Sequence, residues 1–131
     1  MERSLVLIKP DGVEKKVIGK IISFYEENKL DIVELKLMNV TEEIATEHYS
    51  EHKEKPFFRE LIDFITRGPI CAMIIEGESA LERVRALNGA TDPKKACEGT
   101  IRKLYGSHIG ENCVHSSDSI ESAEREMKIW F

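Results

Sequence analysis

The sequence is short of every feature that would place it outside the ordinary globular classes. Its longest uncharged apolar run, Ile70 to Ile75, falls far below the roughly 20 residues of a membrane-spanning helix. Cysteine is scarce: Cys71, Cys97 and Cys113 are an odd set with no C-x-x-C, which fits free thiols in a reducing compartment and not a disulfide framework. There is no basic excess, since 19 Lys and Arg stand against 24 Asp and Glu for a net charge of −5, so dedicated nucleic-acid binding is not expected. Repeats, low-complexity tracts and linker-like stretches are missing, and 131 residues suit one domain, residues 1–131, with a core of its own. Met1-Glu2-Arg3-Ser4 has no signal-peptide shape, so the expected location is cytoplasmic, with no membrane association. The motifs G-x-x-x-x-G-K-[ST], G-x-G-x-x-G, H-R-D and D-F-G do not occur, which excludes a P-loop and a protein-kinase site.

What is present is a chain of alternating strand and helix signals. Ser4 to Ile8 is a β-rich apolar run closed by Lys9-Pro10-Asp11-Gly12, a composition that predicts a turn. Ile18, Ile21, Ile22 and Tyr25 fall at i, i+3, i+4 and i+7 and predict an amphipathic helix. Leu30 to Val40 predicts a strand, with Leu35 and Leu37 on one face. Thr41 reads as an N-cap with acids behind it. Phe57 to Thr66 predicts a helix lined by Phe57, Leu61 and Phe64 or Ile65, stopped by Gly68-Pro69. Ile70 to Ile75 reads as a buried strand, and Ser79 as the cap of a helix carrying Leu81, Val84 and Leu87. An irregular stretch from Asn88 to Gly99 precedes a short helix at about Thr100 to Tyr105, a brief strand near Asn112 to His115, and a last helix for which Asp118 and Glu121 match a capping box. The order β-α-β-α-α-β-α-β-α indicates an α/β or α+β layered fold. Pattern alone does not choose between parallel and antiparallel strands.

Three groups of residues carry candidate chemistry. His115 ends a short strand just ahead of a helix N-terminus, a setting that suits an anion. Glu126, two turns into that helix, could orient the imidazole, although spacing alone favours an ordinary exposed acid. Lys9, Arg85 and Arg102 would form a phosphate clamp if the fold gathers them, with Thr91 adding a hydroxyl. His48-Tyr49-Ser50-Glu51-His52 matches H-x-x-E-H, which on a helix puts both imidazoles on one face with Glu51 as base. The charged neighbours Glu47, Lys53 and Glu54 favour a solvated helix face instead.

Linked blocks then carry a resemblance. Ile8-Lys9-Pro10-Asp11-Gly12, Pro56-Phe57-Phe58-Arg59-Glu60-Leu61, Gly68-Pro69, Gly89-Ala90-Thr91-Asp92-Pro93, Gly99-Thr100-Ile101-Arg102 and His115-Ser116-Ser117-Asp118-Ser119-Ile120-Glu121-Ser122-Ala123 occur in order. From Glu2 to Phe131 the chain closely resembles nucleoside diphosphate kinase. The resemblance implies a ferredoxin-like βαββαβ core with an antiparallel four-stranded sheet covered by helices. It implies an enzyme that passes the γ-phosphate of ATP or another nucleoside triphosphate to nucleoside diphosphates by a ping-pong route through a phosphohistidine, maintaining triphosphate pools. Position by position, His115 matches the nucleophile, and Lys9, Tyr49, Phe57, Arg85, Thr91, Arg102 and Asn112 match the nucleotide site. Ser117 and Glu126 match the pair that supports the histidine, and Glu51 and Asp118 match acids near the Mg²⁺ carried by the nucleotide. A homo-oligomer is implied as well. The sequence ends at Trp130-Phe131 where many family members carry a tail that helps subunit contacts, so dimer, tetramer and hexamer stay open. Three departures stand out: Lys103-Leu104-Tyr105 replaces a frequent Gly-Asp-Phe, Ser116 stands where Gly is common, and Asn88 stands where an apolar residue is usual.

Overall fold

A computed structural model describes residues 1–131. The elements run β1 (Glu2–Ile8), α1 (Pro10–Glu14), α2 (Ile18–Glu27), β2 (Asp31–Met38), α3 (Glu42–His48), α4 (Phe58–Ile65), β3 (Ile70–Gly77), α5 (Ala80–Asn88), α6 (Ile101–Tyr105), β4 (Val114–Ser116) and α7 (Ile120–Trp130). The strands form one sheet in the order β2-β3-β1-β4, with every neighbouring pair antiparallel. This is the ferredoxin-like arrangement, β1-α2-β2 followed by β3-α5-β4, with α3 and α4 inserted between the halves.

The central strands explain the architecture. Leu5, Val6, Leu7 and Ile8 are all fully buried, because β1 is covered on both faces and so reads as a continuous apolar run without alternation. Val6 and Ile8 face one core with Ile21, Tyr25, Met73, Val84 and Val114. Leu5 and Leu7 face a second core with Ala45, Ile62, Ile65, Ala72 and Trp130. The sheet therefore separates an α2/α5 layer from an α3/α4/α7 layer. Strand β4 pairs Leu7 with His115 and Ile8 with Val114. Successive side chains of a strand point to opposite faces, so His115 and Ser116 belong to different layers.

Several local expectations need correction. Lys9-Pro10-Asp11-Gly12 opens the short helix α1 instead of a simple turn, with Pro10 in the first helical turn, where its missing N–H costs nothing. Ser79 precedes α5 in a left-handed conformation at φ 52° and its side chain caps nothing. For α7 the cap is Ser119, whose side chain accepts from the Ser122 N–H, and not Asp118. Thr41 and Thr100 cap α3 and α6 with their side chains. Helix α4 buries Ile62 and Ile65 and leaves Phe57 exposed beside its start. On β2 the exposed face is the one with Leu35 and Leu37, since β2 is an edge strand and no helix covers that face. No helix is long and apolar enough to cross a membrane.

Candidate functional site

A cleft of about 810 Å³ opens beside the end of β4, lined by Lys9, Tyr49, Glu51, Arg85, Thr91, Arg102, Asn112, His115, Ser116, Asp118 and Glu126 among others. The fold thus gathers residues that lie more than a hundred positions apart in the chain. Of the residues expected at the site, Ser117 sits behind the wall, fully buried, and Phe57 stands outside the lining, exposed.

The basic side is built first. Lys9 leaves β1 with its N–H donating to the Cys113 carbonyl at 2.8 Å, which sets it against the loop before β4. Its ammonium donates to Asn112 Oδ1 at 2.5 Å, and Asn112 Nδ2 donates to the Thr91 carbonyl at 2.9 Å. Burial, and then the charge of Arg102, pull the Lys9 pKa down to about 8. Arg102 donates from Nη1 to the Gly89 carbonyl and from Nη2 to the Val114 carbonyl, both at 2.8 Å, so it ties the loop after α5 to β4. Its Nε is buried without a partner, and burial lowers its pKa from the ordinary value. Gly89 is required here: its φ is +88° and an added Cβ would lie 2.5 Å from Thr100 Oγ1. Cys113 also has positive φ, at 77°, a conformation that costs a non-glycine residue of order 1–3 kcal/mol. The Asp11 carboxylate holds it by accepting from the Cys113 N–H at 2.9 Å.

The histidine side is built on β4 and α7. Ser117 Oγ donates to Glu126 Oε1 at 2.7 Å and accepts from the Leu5 N–H at 3.0 Å. Glu126 Oε1 also lies 3.1 Å from His115 Nε2. Glu126 is buried, contrary to the exposed acid that its spacing favours. Ala123, Glu126 and Trp130 form the buried stripe of α7; the signal was in the sequence, in the small and aromatic residues on either side of the acid at helical spacing. A carboxylate can only accept, so Nε2 is the donor of this pair, and Nδ1 makes no hydrogen bond within the protein.

His48 is the residue that sequence reasoning placed wrongly. It is buried at the end of α3 and not on a solvated face, whereas His52 lies in the following short 3₁₀ turn, so the H-x-x-E-H pair shares no helix face. Trp130 Nε1 donates to His48 Nδ1 at 3.1 Å, and the His48 ring stands edge-on to His115 at 4.7 Å. Burial above all, with the neighbouring His115, pushes the His48 pKa down to about 2, which leaves it neutral. His48, His115 and Glu126 bring ligand-type atoms within 4.8 Å of one another. Since His48 Nδ1 accepts from Trp130 and Glu126 fixes the proton on His115 Nε2, neither imidazole turns a lone pair to a shared point, and the trio does not fit a metal centre. The acids suited to a hard cation are instead Glu51 and Asp118, exposed at the cleft wall. The Ser122 hydroxyl and the nearby Arg85 hold Asp118 below the usual carboxylate range.

Fold and cleft define an enzyme class: an antiparallel α/β domain whose cationic pocket holds a histidine with one ring nitrogen against a carboxylate and the other without a partner in the protein, the arrangement of a phosphotransferase. A family profile described as nucleoside diphosphate kinase matches residues 2–131. A nucleoside diphosphate kinase from Clostridium perfringens is 53% identical over 131 residues, covering 100% of this chain and 92% of its own. The structure of the Aquifex aeolicus nucleoside diphosphate kinase superposes with a TM-score of 0.96 at 41% identity, covering 99% of this chain and 94% of that one. The Halobacterium salinarum nucleoside diphosphate kinase, solved in complex with CDP, gives a TM-score of 0.96 at 47% identity, with 99% and 87% covered. The chain belongs to the nucleoside diphosphate kinase family. Its activity is that of a phosphotransferase that moves a γ-phosphate from a nucleoside triphosphate to a nucleoside diphosphate.

Proposed function

We propose that His115 carries the phosphate between the two nucleotides, attacking through Nδ1. The observation that supports this reading is the Ser117–Glu126–His115 chain, in which the carboxylate takes up Nε2 while no protein group bonds to Nδ1. The Nδ1 lone pair forms a bond to the γ-phosphorus, the bond from phosphorus to the β–γ bridging oxygen breaks, and the diphosphate leaves with that electron pair. The second half-reaction runs the same steps in reverse on another diphosphate. Little bond energy is lost or gained between two such similar triphosphates, so the overall equilibrium lies near unity.

Lys9, Arg85 and Arg102 neutralise the phosphate oxygens and the leaving diphosphate, where preorganised charge is most effective. Arg102 keeps a second hydrogen on each Nη for this task. Thr91, Asn112 and Tyr49 complete the nucleotide site. Burial pushes the Tyr49 pKa up to about 12, so it acts as a neutral hydroxyl. Phe57, exposed beside the cleft, offers a flat apolar surface on which any base can stack, and CDP in the halophilic relative is consistent with a pyrimidine being accepted. Glu51 and Asp118 meet the Mg²⁺ that arrives with the nucleotide.

The same reading takes residues 1–131 as one domain, since a single sheet joins both cores, and as a cytoplasmic homo-oligomer. Val33, Leu35 and Leu37 lie exposed on the edge strand β2, a surface suited to a second copy. Incubation with γ-labelled ATP tests the central step. Acid-labile, base-stable label is expected on the native protein and not on His115→Ala. Unlabelled native protein, or a labelled variant, contradicts it.

A further inference from the structure

Ser116 and Asn88, two of the three places where the sequence departs from the family pattern, are in contact with each other. Asn88, fully buried at the end of α5, donates from Nδ2 to Ser116 Oγ at 3.1 Å. Its Oδ1 accepts from the Tyr25 hydroxyl of α2 at 2.6 Å. Tyr25 is fully buried and burial drives its pKa far up, so this hydroxyl stays protonated.

The direction of this chain is settled by satisfiability. Were the Asn88 amide turned round, Nδ2 would face Tyr25 and the tyrosine proton would be buried with nothing to accept it, at a cost of about 1–3 kcal/mol. With Oδ1 toward Tyr25 the tyrosine proton and one amide hydrogen both find acceptors, one more than the reversed amide allows, and Ser116 Oγ is the last acceptor in line. The Ser116 hydroxyl hydrogen is then unspent. Its oxygen makes no other hydrogen bond within the protein, and the residue, half-buried, lines the cleft with Arg85, Arg102 and His115.

We propose that Ser116 is a further phosphate-contact residue of this enzyme, its hydroxyl donating to an oxygen of the bound nucleotide's phosphate chain, and that Asn88 and Tyr25 are the positioning residues that aim it. The inference rests on the phosphohistidine reading and adds a contact to it. A serine hydroxyl is ordinarily free to rotate; the amide donor occupying its lone pair restricts the proton to the directions away from Asn88. The donor therefore reaches the phosphate without first being ordered, which favours binding and transfer. Asn88 lies one turn after Arg85 on α5, so the same bond also registers the arginine against β4.

The test is a single-turnover measurement of phosphohistidine formation from MgATP below saturation, with melting temperatures recorded in parallel. Ser116→Ala is expected to slow formation by roughly tenfold or more, the loss of one hydrogen bond to a charged group. Tyr25→Phe is expected to slow it severalfold in the native background and to add nothing in the Ser116→Ala background, while it lowers the melting temperature in both. That pattern separates aiming of the hydroxyl from simple destabilisation. An unchanged rate in Ser116→Ala, or an equal loss from Tyr25→Phe in both backgrounds, overturns the inference. If the native protein forms no phosphohistidine at all, the underlying reading fails instead, and the two failures are distinguishable.

Discussion

Strand β4 sends two adjacent residues into two different layers, and each ends a buried hydrogen-bond chain. On the α7 side, Ser117 and Glu126 lead to His115; on the α5 side, Tyr25 and Asn88 lead to Ser116. The first chain contains a carboxylate and fixes a proton so that a ring nitrogen is left bare. The second is neutral throughout and fixes a proton so that it points outward. On the proposed reading, one strand presents an electron pair and a hydrogen-bond donor, each held by a side chain in its own core.

Arg102→Ala removes a cation and also unties Gly89 from Val114. A loss of about 2–4 kcal/mol in transition-state stabilisation is expected from removing one preorganised donor, read as kcat/KM, and an unchanged value would refute the role. Glu126→Gln keeps the size of the side chain but not the charge that holds the Nε2 proton. A drop of roughly 10–100-fold in kcat is expected, by analogy with other groups that orient a functional histidine, with KM little changed.

The Lys9 pKa near 8 belongs to the free enzyme, and a bound phosphate favours the protonated form. Binding is therefore strong below pH 8 and is lost as pH rises through that value. Above it, kcat/KM is expected to fall by about tenfold per unit while kcat at saturation holds. Lys9→Arg, always charged, removes that fall if it folds around the same contacts, and a native profile that stays flat to pH 10 contradicts the assignment. The smallest effect belongs to the neutral chain: Tyr25→Phe leaves Asn88 Oδ1 unpaired in the core and is expected to cost about 1–3 kcal/mol of stability by denaturant unfolding.

The two sides differ equally in how far the sequence revealed them. Elements with strong periodicity, such as α2 with Ile21 and Tyr25 buried, were legible from spacing. Caps whose side chain competes with a neighbour were not: Ser119 lies next to Asp118, and only the geometry of the turn decides between them. Antiparallel order was invisible in the pattern, because β1 and β3 are covered on both faces and read like the strands of a parallel sheet. At the site, the resemblance supplied His115 and its partners, while spacing alone made Glu126 a surface acid. His48 was misread because its charged neighbours hid a buried position at i+3 from Ala45. The Tyr25–Asn88–Ser116 chain could not be read at all, since it joins positions 63 and 28 residues apart that no local rule connects.

The most direct test of the account is the position of the phosphate on the His115 ring. Native protein phosphorylated with ATP, digested under alkaline conditions and compared with phosphohistidine standards should yield the Nδ1 isomer. Phosphate on Nε2 would mean that Glu126 does not hold that nitrogen's proton in the working enzyme, and would contradict the central claim.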